Sequence, residues 1–302
     1  MTSRMALASS IWPRSGGDRR NSSLITAAGP RRGNIASSVA LGERSLGGEP
    51  RGSAGAVVAS DGSLRVVFDH RLLAVSVDDQ VLWQVELPTE RVTSRPVALD
   101  DGCCLVGLDD AFVVYDREGI LLERFHGPSE FSLDNSGLSP NLTHGGSLIS
   151  TSAIGVCGAR CGEQWCEIEG LLGYDIVPPA VFDDDTLAFA AYAGTGYCRV
   201  HASGEQVWVA GFEDADLLPT ISRDQRSAVG SLNDRCSRIF DSGGACLGTF
   251  NEPSTFAEYP DGGWIALFDG GLARLSGDGE VCWRVEASVS RHWGVQPIVD
   301  RD

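Results

Sequence analysis

Three cysteines stand close together in Cys157-Gly158-Ala159-Arg160-Cys161-Gly162-Glu163-Gln164-Trp165-Cys166, a density of soft ligands at which zinc or an iron–sulfur cluster is the first chemistry to weigh. The spacings, three and four residues between ligands, match neither the zinc-finger and zinc-ribbon patterns nor the ferredoxin ones. A turn centred on Arg160 to Gly162 offers a structural account instead, with Cys157 and Cys166 expected as cross-strand neighbours on a hairpin. A second pair, Cys103-Cys104, opens an expected strand directly after a turn. At such a place free cysteine acts as a small core residue.

Other reactive groups are scattered. His70, His126, His144, His201 and His292 fall at separate, loop-like positions, and Gly194-Thr195-Gly196 is a fragment of a phosphate-binding glycine loop. Asp183-Asp184-Asp185 and Asp134-Asn135-Ser136-Gly137 carry enough oxygen for calcium but lack the alternating ligands of a calcium loop. The sequence has no nucleophile elbow and no His-Glu-x-x-His helix. It has no lysine either, which removes Schiff-base, Walker and kinase-type lysine chemistry together. No catalytic, cofactor-binding or metal residue is assigned on these grounds, and no cofactor is expected.

What must position any site is a repeat of about forty residues. A turn slot recurs at Asp79, Gly119, Gly162, Gly204, Gly244 and Gly279, at intervals of 40, 43, 42, 40 and 35. Proline gives an independent register, opening units at Pro96, Pro140, Pro179, Pro219 and Pro297, with the unit near Glu258 lacking it. Within a unit the apolar runs are short, nearly alternating and separated by Gly/Asp turns, which is the pattern of strands. In the second unit these are Pro96–Leu99, Cys103–Leu108, Ala111–Tyr115 and Ile120–Phe125. Four strands per unit predict an all-β β-propeller of four-stranded antiparallel blades, because radial stacking buries both faces of each small sheet. Six complete blades fit between Ala56 and Ser288, and Val295 to Asp300 repeats the opening strand of a seventh.

Pro-apolar-x-apolar-Asp-Asp-Gly, an apolar strand, Asp, a second apolar strand and Asp-x-x-Gly-x-x-x-Trp together resemble the PQQ-like β-propeller repeat. That is the blade of quinoprotein dehydrogenases and of the outer-membrane protein assembly lipoprotein, and the resemblance covers Ala56 to Asp302. It implies that Trp83, Trp208 and Trp283 dock between adjacent blades. In the other copies the slot holds Glu123, Cys166 and Gly248. Quinoprotein alcohol dehydrogenases carry a vicinal cysteine disulfide beside their cofactor, so the resemblance draws attention to Cys103-Cys104. The calcium ligands and base of those enzymes have no recognisable counterpart, and no binding of pyrroloquinoline quinone with calcium is expected. One fold hosts many functions, so the blade type leaves the activity open.

Charge divides the chain. Residues 1–55 hold eight Arg against Asp18, Glu43 and Glu49, a balance of +5, and are expected to be a disordered basic leader; residues 56–302 form the propeller, with 16 Arg against 38 acids. So acidic a ring disfavours nucleic acid, which needs phosphate neutralisation. The apolar start is too short and broken for a secretory signal, and no run reaches membrane-spanning length. Nine cysteines, an odd number spread over strands, point to a reducing, cytoplasmic setting. The functional expectation is a non-enzymatic scaffold binding a protein or other partner through its loops and faces. Its rival is a small propeller enzyme with an axial site, quinone-dependent or hydrolytic.

Overall fold

The computed structural model describes residues 5, 20, 55–68, 70–88, 92, 94–108, 111–126, 140–151, 157–161, 164–167, 177–190, 196–212, 214–287, 297 and 299. They form six four-stranded antiparallel sheets, each with its strands in chain order. The first blade comprises β1 (Gly55–Val58), β2 (Leu64–Phe68), β3 (Arg71–Val75) and β4 (Val81–Glu86), and the second β5 (Val97–Ala98), β6 (Cys104–Gly107), β7 (Ala111–Tyr115) and β8 (Leu121–His126). The third is β9 (Asn141–Leu142), β10 (Leu148–Thr151), β11 (Cys157–Cys161) and β12 (Gln164–Glu167). The fourth is β13 (Ala180–Val181), β14 (Leu187–Ala190), β15 (Tyr197–Val200) and β16 (Gln206–Val209). The fifth is β17 (Thr220–Ile221), β18 (Ser227–Ser231), β19 (Cys236–Phe240) and β20 (Cys246–Phe250). The sixth is β21 (Thr255–Glu258), β22 (Trp264–Phe268), β23 (Gly271–Leu275) and β24 (Val281–Glu286). Among the described residues no helix is long and apolar enough to cross a membrane.

First strands adjoin from blade to blade, as β1 with β5 and β13 with β9 and β17, so they form the inner wall of a ring. Among the described residues the middle strands β6, β7 and β22 are buried at every residue, whereas the last strands β4, β8 and β24 are largely exposed. This gradient explains the sequence pattern. A strand sandwiched between two blades reads as a continuous apolar run, and one at the rim alternates or turns polar.

Every turn slot that is described has a left-handed backbone. Gly119, Gly204, Gly244 and Gly279 lie at φ 84°, 90°, 86° and 89°, and Asp79 at φ 62°. Each of these turns is followed by a bulge in the last hairpin, at the same place in five blades. The slot after the bulge faces the preceding strand as Trp83 opposite Ala74, Glu123 opposite Val114, Trp208 opposite Arg199, Gly248 opposite Ile239 and Trp283 opposite Arg274.

Two of the three expected tryptophans dock. Trp83 lies on Gly119 of the next blade and donates from Nε1 to the Arg117 carbonyl at 2.6 Å. Where Gly248 replaces the indole, the next turn closes onto the backbone itself, so that a Cβ on Gly248 would overlap the Asp278 carbonyl oxygen. Trp283 is the exception to the expectation: it is 46% exposed, since no turn among the described residues follows it to cover the ring.

The seventh unit has a location. Val299 is buried against Ala257 and Ile265 of the sixth blade. It stands two residues after Pro297, as Ala98, Leu142, Val181 and Ile221 stand two after their prolines, all four on first strands. Val299 thus shares the spacing of the first-strand row and packs on the sixth blade. Of the leader before Gly55, Met5 and Arg20 are described, and both touch the ring; the expectation of disorder otherwise concerns residues outside those described.

Candidate functional site at the axial face

The turns joining first and second strands gather at one end of the inner wall. Each has the same core: the residue after the first strand donates its N–H to a carbonyl four residues on, and a left-handed residue closes the turn. That residue is glycine in four blades, Gly62, Gly102, Gly146 and Gly262, but Asp185 and Gln225 in the fourth and fifth, both at φ 64°. A left-handed backbone is strained for a residue with a side chain. Here both side chains reach the turn of the preceding blade. Asp185 accepts from the backbone N–H groups of His144 and Gly145, the latter at 2.7 Å, and lies 3.0 Å from His144 Nδ1. Gln225 Oε1 accepts from the Asp183 N–H at 2.9 Å. The next link is Glu258, whose Oε1 accepts from the Arg223 N–H at 2.8 Å. Three successive seams are therefore latched by one side chain each.

Beneath the turns lies a set of anchored arginines. Arg199, nearly buried, reaches Asp184 at 2.7 Å, Thr186 and the Ser242 carbonyl, and stacks on Phe182 with the guanidinium carbon 3.9 Å from the ring centroid. Arg274 pairs with Asp261 and stacks on Tyr259, and Arg65 is held by Ser63 and Asp61. The carboxyl of Asp184 is pushed up by burial but pulled down further by bonds from Thr186 and Arg199, so it lies below the ordinary value. Asp61, through Ser63, and Asp224, through Arg226 against its burial, are lowered as well. These acids are committed to turns and arginines. The Asp183-Asp184-Asp185 run, weighed above for calcium, is such a turn, and among the described residues no group of three His, Cys, Asp or Glu side chains is placed to hold a metal.

Glu258 differs from the rest. It is 2% exposed and occupies the last position of the first strand, where the other blades carry Val58, Ala98, Leu142, Val181 and Ile221. A carboxylate in such a row is costly to bury without cationic partners. Its Oε2 lies 3.9 Å from Arg223 of the fifth blade and 3.9 Å from Arg20 of the leader. The Arg20 carbonyl in turn accepts from the N–H of Ile221 at 2.7 Å. Sequence reasoning passed over this residue, noting it only as the unit without proline; a charge in an otherwise apolar register row was the available signal.

The cysteine readings resolve differently. Cys103 and Cys104 are both free and buried, and the alternation of the strand sends them to separate clusters, Cys103 to the one around Leu99 and Leu148, Cys104 to the one around Val67 and Val113. Burial pushes each thiol up to about 12, helped at Cys103 by Asp101. They are core residues, as expected. Cys157 and Cys166 are not opposite one another: β11 and β12 pair Cys166 with Ala159 and Cys161 with Gln164. The register therefore lies away from the pairing expected from the sequence. The remaining histidines stay apart, His70 before β3, His126 ending β8 and His201 in a turn; His292, Asp134 to Gly137 and Gly194-Thr195 lie outside the described residues.

No protein-family model matches the sequence, and no curated protein does. Solved structures do match. Virginiamycin B lyase from Staphylococcus aureus aligns over 80% of this chain and 86% of its own, with TM-score 0.57 and 13% identity. BamB from Moraxella catarrhalis aligns over 75% and 70%, with TM-score 0.51 and 17% identity. Hsv2 from Kluyveromyces lactis aligns over 74% and 83%, with TM-score 0.57 and 12% identity. At these identities the likeness is one of fold, and the fold is the β-propeller.

Proposed function

We propose that this chain is a non-enzymatic propeller scaffold that binds a protein partner through the outer strands of its blades. The observation that carries the reading is the exposed apolar rim. In each hairpin with the common bulge, the extra residue is pushed outward, and it is Leu82, Leu122, Val207, Leu247 or Cys282, all exposed. Val281 and Val285 of β24 and Val209 of β16 extend the same surface. Last strands also have one edge outside their own sheet, the kind of edge that a strand from another protein can extend. Recurring apolar side chains beside such edges suit an extended apolar segment of another protein. The free thiols support a reducing, cytoplasmic setting, and the acidic ring supports a partner other than nucleic acid.

The test is photo-crosslinking in cells that express the chain naturally, with the reactive residue at Leu122, Val209 or Val285 and, as a control, at the exposed polar Glu205. The same partner should be captured at all three rim positions, and capture at Leu122 and Val209 should be lost when Val281 and Val285 are changed to Glu. Equal capture at Glu205, or none at the rim, would sink the reading. Saturable turnover with pyrroloquinoline quinone and calcium would put the axial enzyme in its place.

A further inference from the structure

We propose that the outer edge of the sixth blade, around Trp283 and Arg274, is a docking site for a β-hairpin of another protein whose turn has the form Asp-x-x-Gly. The seams inside the ring show what such a surface takes. Trp83 receives the turn Asp116-Arg117-Glu118-Gly119 of the following blade, and Trp208 receives Asp241-Ser242-Gly243-Gly244. In both, the indole Nε1 donates to the carbonyl of the second turn residue, at 2.6 and 3.1 Å, and the left-handed glycine lies against the ring. The aspartate fixes the turn by accepting from the N–H groups of the third residue and the one after the glycine.

The sixth blade carries the same receiving groups without such a turn. Across the fourth blade Ala180, Ala188, Arg199 and Trp208 stand in one row, and across the sixth Ala257, Ile265, Arg274 and Trp283 do. The two arginines are anchored alike, Arg199 by Asp184 and Phe182, Arg274 by Asp261 and Tyr259. What differs is the acceptor. Arg199 Nη1 donates at 2.6 Å to the Ser242 carbonyl, the same oxygen that Trp208 uses. Arg274 Nη1 turns instead onto the Leu275 carbonyl of its own blade, and among the described residues no group accepts from Trp283 Nε1. Val299 covers the inner end of the row, at Ala257 and Ile265, and leaves the outer end open. There Val281, Trp283 and Val285 are 52%, 46% and 53% exposed.

The chain's own turns do not fit this site. The first blade has Asp79 in the turn slot, and a Cβ in that slot at Gly119 or Gly244 would stand 2.9 or 2.8 Å from the indole. Gly119, Gly244 and Gly279 are already seated against Trp83, Trp208 and Gly248, so a second copy does not offer them either. A hairpin from another protein meets the requirement, with its turn carbonyl shared by Trp283 and Arg274 and its apolar flank on Val281 and Val285. Tryptophan and arginine are also the residues that most often anchor an interface. This inference deepens the scaffold reading and rests on it: it names the element of the partner that makes contact and the blade that receives it.

The probe is a fluorescent copy of this chain's own residues 112–125, which carry the Asp116-Arg117-Glu118-Gly119 turn, cyclised to hold that turn and titrated into the full chain by anisotropy. It should bind saturably, and Trp283→Ala should weaken binding about tenfold, as loss of a central anchor does. Trp283→Phe, which keeps an aromatic face but removes the N–H, should fall between. Alanine in place of the turn glycine of the probe should also weaken binding about tenfold, because its Cβ meets the indole. Leu247→Ala, at an exposed apolar position on the fifth blade, should leave affinity unchanged. Absence of binding, or equal affinity for Trp283→Ala or for the alanine probe, would overturn the proposal. So would dimerisation of the unaltered chain in sedimentation that Trp283→Ala abolishes, since the site would then belong to a second copy. Rim crosslinking without probe binding would remove this inference alone, whereas probe binding without rim capture would remove the scaffold reading.

Discussion

Trp208 and Gly244 are thirty-six residues apart and in contact: a Cβ on Gly244 would stand 2.8 Å from the indole, whose Nε1 donates to the neighbouring Ser242 carbonyl at 3.1 Å. The ring also stacks with Phe240 and meets Tyr197, centroids 6.1 and 5.5 Å away, which joins the fourth blade to the fifth. Since Trp208 is partly buried, Trp208→Ala should cost about 2–4 kcal/mol, at or below the usual range for a core aromatic. Gly244→Ala should cost about 1–3 kcal/mol through the positive φ and the indole contact together. The double variant should lose less than the two separate losses combined, measured by urea unfolding. Strict additivity would mean the two residues do not share an interface.

Trp283 should behave otherwise. Its indole is nearly half exposed, and Trp283→Ala should change stability by less than about 1 kcal/mol. A loss as large as that at Trp208, in the same unfolding assay, would show that the seam beyond the sixth blade is covered in solution.

Thiol reactivity should sort by position. Cys103, Cys104 and Cys198 are buried with thiols pushed up to about 12, whereas Cys246 and Cys282 are exposed. Only the thiolate reacts, so brief maleimide labelling near neutral pH should mark Cys246 and Cys282 and spare the other three until the chain is unfolded. Peptide mass mapping checks this. Early labelling of Cys104 would show that the second blade opens readily.

Acid should weaken the axial turns. Asp61, Asp184 and Asp224 all have carboxyls below the ordinary 3.8, so the folded state holds their protons less tightly than the unfolded state does. Their contribution is complete above 3.8 and is lost as pH falls through the lower folded values. Melting temperature should therefore drop as pH falls below about 4, and Asp184→Asn should make the drop shallower while lowering the plateau above it. An identical pH profile in the variant would remove Asp184 from the account.

Much of this architecture was legible because it is local. A turn closing within five residues demands a left-handed residue at one place, so Gly119, Gly204, Gly244 and Gly279 announced their turns without any knowledge of the ring. The prolines worked likewise, and even the isolated Val299 fell into the row they define. The register of β11 and β12 was misplaced, because Cys161 pairs with Gln164 and Cys166 with Ala159, a pairing that the spacing of cysteines and glycines does not encode. The contact of Arg20 with Ile221 and Glu258 could not be read at all. Partners more than two hundred residues apart leave no spacing to recognise, and a single glutamate in a strand reads as ordinary surface until its burial is known.

Each described sheet takes its four strands in chain order, with none borrowed from another unit. During synthesis, a blade can therefore pair its strands as soon as about forty residues have emerged, and each later blade adds to the face left by the last. The loop-closure cost is small at every such step. Contacts that join distant parts of the chain, such as Val299 against the sixth blade and Arg20 at Ile221, must wait until both partners have emerged, so they should form after the blades they touch.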